Sequence, residues 1–118
     1  MASHEFSFEK LDVWQKARIL VKQIYIISGD FPHDEKFGLI SQIRRAAVSV
    51  PANVAEGSSR FSKKDQSYYY QIAFSSLMEL LSHLYVSQDL EYLTETTFRE
   101  IKPDIMEISR ILNALYHS

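Results

Sequence analysis

The last quarter of the sequence contains one long apolar repeat with the period of an α-helix. Large apolar residues recur there at alternating steps of three and four positions: Phe98, Ile101, Ile105, Ile108, Leu112 and Leu115. Because an α-helix completes a turn in about 3.6 residues, this spacing places all of these side chains on one face of a helix. Such a face is typical of helices that pack against other helices. The repeat therefore predicts an all-α protein.

The composition favours helices over strands and one domain over several. Three glycines and three prolines in 118 residues are too few for the many tight turns of an all-β protein. Hydrophobic residues make up 46% of the chain and charged residues 24%, which is typical of a protein with a packed core. A chain of this length can bury one continuous core, so we predict a single domain over residues 1–118.

Two apolar repeats of helical period occupy the first half of the chain. The first begins near Asp12, where Gln15 completes the pattern of a capping box, and ends near Gly29. The second is predicted to start between residues 33 and 35 and to end at Gly57. Its predicted inward-facing residues are Phe37, Ile40, Ile43, Ala47, Val50 and Val54.

Two further helices are predicted in the second half. The third follows a cap at Ser62 and stops near Asp89, and the fourth begins with a cap at Thr94. The residues that the third helix is predicted to bury are Tyr69, Ala73, Leu77, Leu80 and Leu84. Since the connections are short, successive helices should be antiparallel neighbours. The sequence therefore predicts an antiparallel up-down-up-down four-helix bundle.

The cellular compartment is predicted from cysteine usage and from the distribution of apolar residues. The chain has no cysteine, which excludes disulfides and thiolate metal sites and suits a reducing compartment. Residues 1–8 contain no apolar core of signal-peptide length, and Lys22 and Gln23 interrupt the most hydrophobic run, residues 19–27. We therefore predict a cytoplasmic protein without a membrane partner.

One short segment combines basic and aromatic residues. The formal net charge of -2 gives the chain no overall attraction to nucleic acid, so such binding would need a local patch. Arg60, Phe61, Lys63 and Lys64, followed by three tyrosines at residues 68–70, have the composition of a nucleic-acid surface. The alternative interpretation is a solvated loop beside tyrosines that pack within the protein.

Arg44 and Arg45 are adjacent in the predicted second helix. Their side chains point about 100° apart, so the two arginines cannot serve the same contact. In an antiparallel bundle one of them reaches Glu79 on the third helix, and we expect an ion pair there. The other arginine is a candidate for a phosphate contact.

Asn53 and Glu56 lie in the last turn of the second helix. A carboxylate is unfavourable at this end of the helix dipole unless a partner holds it. We expect Asn53 and Glu56 to bond the amides of the following loop or Arg60. The alternative is a functional polar site at this end of the bundle.

Catalysis and metal binding are not predicted. Glu79 and His83 are four residues apart, but the chain has no Glu-x-x-His pattern of the kind used by di-iron bundles. It also has no phosphate-binding glycine loop, serine elbow or metalloprotease helix. We therefore predict a protein with no catalytic residues, no metal and no cofactor.

Five ordered segments carry a family resemblance. They are Leu11–Ala17, Phe31-Pro32 with Phe37-Gly38-Leu39, Gln42–Ala47, Asn53–Gly57 and Ser76–Leu80. Together they resemble the four-helix-bundle proteins encoded in intervening sequences of bacterial large-subunit ribosomal RNA genes. That family usually has a Gly-Ser pair where this chain has Ser75-Ser76. The resemblance implies a four-helix bundle, often a homopentamer, and a related retroelement accessory protein that binds nucleic acid implies an RNA or DNA partner.

Two functions of different classes follow from these features. The first is a self-assembling bundle that binds nucleic acid, or a protein bound to nucleic acid, through basic patches. The second is an assembly or protein-interaction scaffold with no affinity for nucleic acid. Both include a homo-oligomer, since the first and third helices have more apolar residues than one core stripe needs. These surplus residues are Trp14, Val21, Tyr25, Tyr68, Tyr70 and Phe74.

Overall fold

The computed structural model describes residues 5–118 and contains four α-helices. They are α1 (Asp12–Ser28), α2 (Leu39–Ser58), α3 (Lys63–Asp89) and α4 (Glu95–His117). Short 3-10 turns at Ser7–Lys10 and His33–Glu35 precede α1 and α2. Each helix packs against the next and α4 packs back against α1, so the predicted all-α four-helix bundle is confirmed. Residues 1–4 lie outside the described residues. They belong to the predicted domain and to the N-terminal segment 1–8, which was predicted not to be a signal peptide.

A single apolar core runs along the middle of the bundle. The repeat in α4 is buried at Phe98, Ile101, Ile105, Ile108 and Leu112, and Leu115 is partly buried at its end. These residues pack with apolar side chains from the other three helices, including Leu20 and Ile24 of α1. The helical repeat therefore predicted the core of α4 correctly.

Two of the three predicted helix caps are present. Ser62 Oγ accepts the backbone N–H of Asp65 at 3.1 Å, and Thr94 Oγ1 accepts that of Thr97 at 3.2 Å. The capping box predicted at Asp12 is wrong. Asp12 is the first residue of α1 and pairs with Lys16, because the preceding 3-10 turn brings the chain into the helix without a side-chain cap.

The start of α2 was predicted too early. Residues 33–35 form a 3-10 turn, and α2 begins at Leu39, whose N–H donates to Glu35 Oε1 at 3.2 Å. Phe37 therefore lies in the turn before the helix, where its side chain is 90% exposed and does not face the core. The other five positions predicted to face inward in α2 are buried.

The prediction for the first buried residue of α3 is wrong by one position. Tyr70 is 7% exposed and belongs to the core, whereas Tyr69 is only partly buried. Buried residues on α3 alternate in steps of three and four, and this alternation continued backward from Ala73 reaches Tyr70. Burial raises the pKa of the Tyr70 hydroxyl, because it disfavours the phenolate.

Among residues 5–118, no helix combines the length and the apolar character needed to span a membrane.

Candidate nucleic-acid interfaces

The cations predicted to bind nucleic acid lie on two separate surfaces. Arg44 and Arg45 are near the start of α2, whereas Arg60 follows its end and Lys63 and Lys64 open α3. Arg45 and Arg60 are separated by about four turns, or about 22 Å along a helix. The structure therefore does not bring the five predicted residues together in one site.

The first surface, which we call the basic loop, consists of Arg60, Phe61, Lys63 and Lys64. The Phe61 ring is fully exposed, and Lys63 and Lys64 are exposed in the first turn of α3. Neither lysine forms an ion pair with any residue of the range 5–118. Because the N-terminus of a helix carries a partial positive charge, two lysines there are unfavourable for the helix itself. Their charge is available to an anionic ligand.

Arg60 differs from the two lysines because its side chain is bound within the protein. One Nη atom donates to Glu56 Oε1 and to the Tyr69 hydroxyl, both at 2.9 Å, and the guanidinium lies 4.7 Å from the centre of the Tyr69 ring. The hydrogen bond to Glu56 raises the pKa of Arg60. Arg60 thus holds the end of α2 against α3, and the expected partner of Glu56 is present.

Asn53 does not bond the following loop, contrary to the expectation. Its Nδ2 donates to the backbone oxygen of Ser49 at 2.8 Å and contacts Ser49 Oγ at 3.0 Å. The Ser49 hydroxyl in turn lies 2.8 Å from that of Ser76 on α3. Helical side chains lean toward the N-terminus, which directs Asn53 to the preceding turn and away from the loop. Asn53 therefore belongs to a polar link between α2 and α3.

The adjacent arginines of α2 contact two different helices. Arg45 forms the expected ion pair with Glu79 of α3 at 3.1 Å. Arg44 reaches the end of α1, where its Nε donates to Ser28 Oγ at 2.9 Å and its Nη2 donates to the Tyr25 carbonyl at 3.2 Å. A cation is favourable at that end of a helix dipole. Arg44 therefore connects α1 to α2, while Arg45 connects α2 to α3.

The second surface, which we call the aromatic cleft, lies beside these arginines. It has a volume of about 490 Å³, and its lining residues include Tyr25, Lys36, Phe37, Ile40, Arg44 and Arg45. The helical repeat does not predict this cleft, because it places Phe37 in the core. The adjacent pair Lys36-Phe37 immediately before Gly38 is the sequence signal that was missed.

Glu79 and His83, the pair with metal-binding spacing, contact each other at 3.3 Å through His83 Nε2, and Glu79 also contacts Arg45. Within residues 5–118, no three or more His, Asp and Glu residues are grouped so that they could share a metal ion.

These observations define a small four-helix bundle with two basic, aromatic surfaces. The chain belongs to the 23S rRNA-intervening sequence protein family, whose sequence model matches residues 9–114. It is also similar in fold to a crystal structure from Bacteroides thetaiotaomicron of a protein of unknown function from the S23 ribosomal protein family. The TM-score is 0.80 at 24% sequence identity, with 90% of this chain and 99% of that chain covered. The search of curated proteins found no match. Neither the family description nor the crystal structure names an enzymatic activity.

Proposed function

We propose that this protein is a non-enzymatic, self-assembling bundle that binds nucleic acid through its basic loop. The single observation that carries the proposal is the fully exposed Phe61 ring beside Lys63 and Lys64, which have no ion-pair partner within residues 5–118. Lysines bind phosphates as point charges, and an exposed aromatic ring can stack on an unpaired base. Binding of this kind does not depend on the base sequence. The lack of cysteine supports the cytoplasm as its location.

Self-assembly strengthens a weak individual contact. Each subunit presents only a few cations and has a formal net charge of -2, which repels nucleic acid at long range. An oligomer repeats the basic loop, so several loops engage one strand with higher avidity than a single loop. The number five comes only from the family resemblance.

The surface that supports self-assembly differs from the one expected from sequence. Three of the residues predicted to be surplus instead pack partly buried against the core: Trp14, Val21 and Phe74. Tyr70 is buried as well, so only Tyr25 and Tyr68 of the predicted group are exposed. The helical stripes predicted the direction of these side chains but not how far neighbouring helices cover them.

A groove between α1 and α4 supports contact with another copy. Ile19 and Ile26 of α1 line this groove and are each exposed by 60% or more of their surface. In the groove, Gln23 Oε1 is buried and has no hydrogen-bond donor among residues 5–118. A neighbouring copy would cover the apolar side chains and could supply a donor to this oxygen.

Light scattering tests the self-assembly part of the proposal. The parent protein should have the mass of an oligomer, and Ile19→Asp/Ile26→Asp should lower that mass. Ser82→Asp/Asn113→Asp is the matched control, because it adds the same charge at two exposed polar positions. A parent that is monomeric at micromolar concentration would remove self-assembly from the proposal.

Fluorescence anisotropy with a labelled single-stranded RNA tests the nucleic-acid part at physiological salt. Phe61→Ala and Lys63→Ala/Lys64→Ala should each weaken binding, because they remove the stacking surface and the phosphate contacts. Lys22→Ala/Arg110→Ala is the control, since it removes two exposed cations elsewhere on the bundle. Equal affinity of all variants would show that the basic loop is not the site.

The second candidate function is a scaffold without nucleic-acid affinity. The acidic net charge and the exposed apolar residues of the groove between α1 and α4 favour it. An oligomer that retains no RNA or DNA at physiological salt would support the scaffold over the first proposal.

A further inference from the structure

We propose that the aromatic cleft is a second binding site, for a nucleotide, separate from the basic loop. Its volume of about 490 Å³ lies within the usual range for small-molecule sites. Phe37 provides an exposed aromatic ring, and Ile40 contributes an apolar side chain to the lining. One face of the Tyr25 ring is covered by the Arg44 guanidinium, 4.5 Å from the ring centre. The Phe37 ring is 90% exposed and therefore keeps nearly all of its hydration in this chain alone. Stacking against a ligand would cover it.

The charged groups of the cleft favour an anionic ligand. Lys36 forms no ion pair within residues 5–118 and lies 5.3 Å from the centre of the Phe37 ring. Arg44 donates hydrogen bonds to two neutral oxygens, those of Ser28 and Tyr25, and its guanidinium lies 4.5 Å from the centre of the Tyr25 ring. Its Nη1 has no hydrogen-bond partner in the described part of the chain. Arg44 is therefore fixed in position while it retains donors for a phosphate.

The nearest acidic side chain along the chain is directed into other contacts. Glu35 Oε1 accepts the N–H of Leu39, and Glu35 Oε2 accepts the Tyr92 hydroxyl at 3.1 Å. The same carboxylate lies so close to Gly38 that a Cβ there would come within 2.7 Å of Glu35 Oε1. These contacts fix the turn that holds Lys36 and Phe37 at the edge of the cleft, so the site is formed before a ligand binds.

A nucleotide is the ligand class that uses both properties of the cleft. Inorganic phosphate would leave the Phe37 ring uncovered, and an uncharged aromatic compound would leave Lys36 and Arg44 without an anion. A base stacked on Phe37 with its phosphate near Lys36 and Arg44 uses the exposed ring and both cations. The same chemistry is present in a free mononucleotide and in one unit of a single strand.

The experiment measures calorimetric binding of two probes, AMP and a short oligoadenylate. The parent protein should bind at least one of them, and Phe37→Ala and Lys36→Ala should each weaken binding about tenfold. Binding of AMP identifies a free nucleotide as sufficient, whereas binding of the oligoadenylate alone identifies a unit of a strand. Arg110→Ala is the control for an exposed cation away from the cleft, because α4 contributes no residue to its lining.

Variants of the basic loop separate this site from the first proposal. Lys63→Ala/Lys64→Ala should keep AMP binding, so failure of the cleft and failure of the basic loop give different patterns. The proposal is wrong if neither probe binds the parent, or if Phe37→Ala and Lys36→Ala bind as the parent does. It is also wrong if Phe37→Ala lowers the oligomer mass without changing probe binding, because Phe37 then belongs to a contact between copies. Phe37 and Lys36 are exposed, and thermal melting should show that both variants fold.

Discussion

Gly57 and Tyr70 pack directly against each other where α2 and α3 approach their connection. A Cβ at position 57 would lie 2.8 Å from Tyr70 Cε1 and 3.1 Å from the backbone oxygen of Gln66. Tyr70 is part of the core, so its ring cannot move aside without disturbing its neighbours. Position 57 is therefore occupied by glycine because a Cβ would clash with Tyr70. The helix itself does not require the backbone freedom of glycine there.

Gly57→Ala should therefore destabilise the protein, by about 1 to 3 kcal/mol as for other overpacked cores. The clash should outweigh the gain of about 1 kcal/mol expected from helix propensity. Urea unfolding measures the change in the free energy of unfolding. The loss caused by Gly57→Ala should be smaller in a Tyr70→Ala background, because the two positions are coupled. A more stable Gly57→Ala protein would contradict the observed packing.

Arg44 and Arg45 should differ in their contribution to stability although they are adjacent. Arg44→Ala removes two charge-assisted hydrogen bonds at the end of α1 and should cost about 1 to 3 kcal/mol. Arg45→Ala breaks an exposed ion pair with Glu79 and should cost less than about 1 kcal/mol. The two variants control for each other in denaturant unfolding. Equal losses would mean that Arg44 does not hold α1 as described.

The apolar repeat of α4 makes a quantitative prediction about the core. Ile108 is completely buried, and Ile108→Ala should cost about 2 to 5 kcal/mol because it leaves a cavity. Met106→Ala, two residues earlier on the exposed side of the same helix, should change stability by less than about 0.5 kcal/mol. A loss below about 1 kcal/mol for Ile108→Ala would show that the register of α4 is wrong.

Stability should decrease in alkaline solution because of Tyr70. Burial raises the pKa of its hydroxyl above the ordinary value of about 10, so the unfolded chain loses this proton first. The contribution of Tyr70 is therefore fully present below about pH 10 and is lost as the pH rises through the pKa of the folded state. As the pH rises above about 10, the urea midpoint of unfolding should fall less steeply for Tyr70→Phe than for the parent. Identical slopes would show that Tyr70 is not the group responsible.

The sequence predicted the helices and most of the core because both depend on local periodicity. The buried faces of α2 and α4 follow the three-and-four spacing almost without exception. Periodicity failed at Phe37, because the start of α2 depends on the Glu35 side chain and on the contact of that side chain with Tyr92, 57 residues away in the chain. It also failed to show how far the neighbouring helices cover Trp14 and Phe74.

The candidate sites were predicted less completely than the fold. The angle between successive helical side chains correctly separated the roles of Arg44 and Arg45. Which of them faces α3 depends on how α2 and α3 are aligned, and a single sequence does not contain that information. The aromatic cleft is formed by residues from α1, α2 and the turn between them, so no one segment of the sequence predicts it.

The central claim is that Lys63 and Lys64 bind phosphates, and a salt titration tests it most directly. The affinity for a single-stranded RNA should be measured from low to physiological salt for the parent, for Lys63→Ala/Lys64→Ala and for the Lys22→Ala/Arg110→Ala control. Arg60 is left unchanged, because it also holds Glu56 and Tyr69. We predict that Lys63→Ala/Lys64→Ala reduces the slope of log affinity against log salt by about one unit for each lysine that contacts a phosphate. The control variant should keep the slope of the parent. The claim is wrong if all three proteins have the same affinity and the same salt dependence.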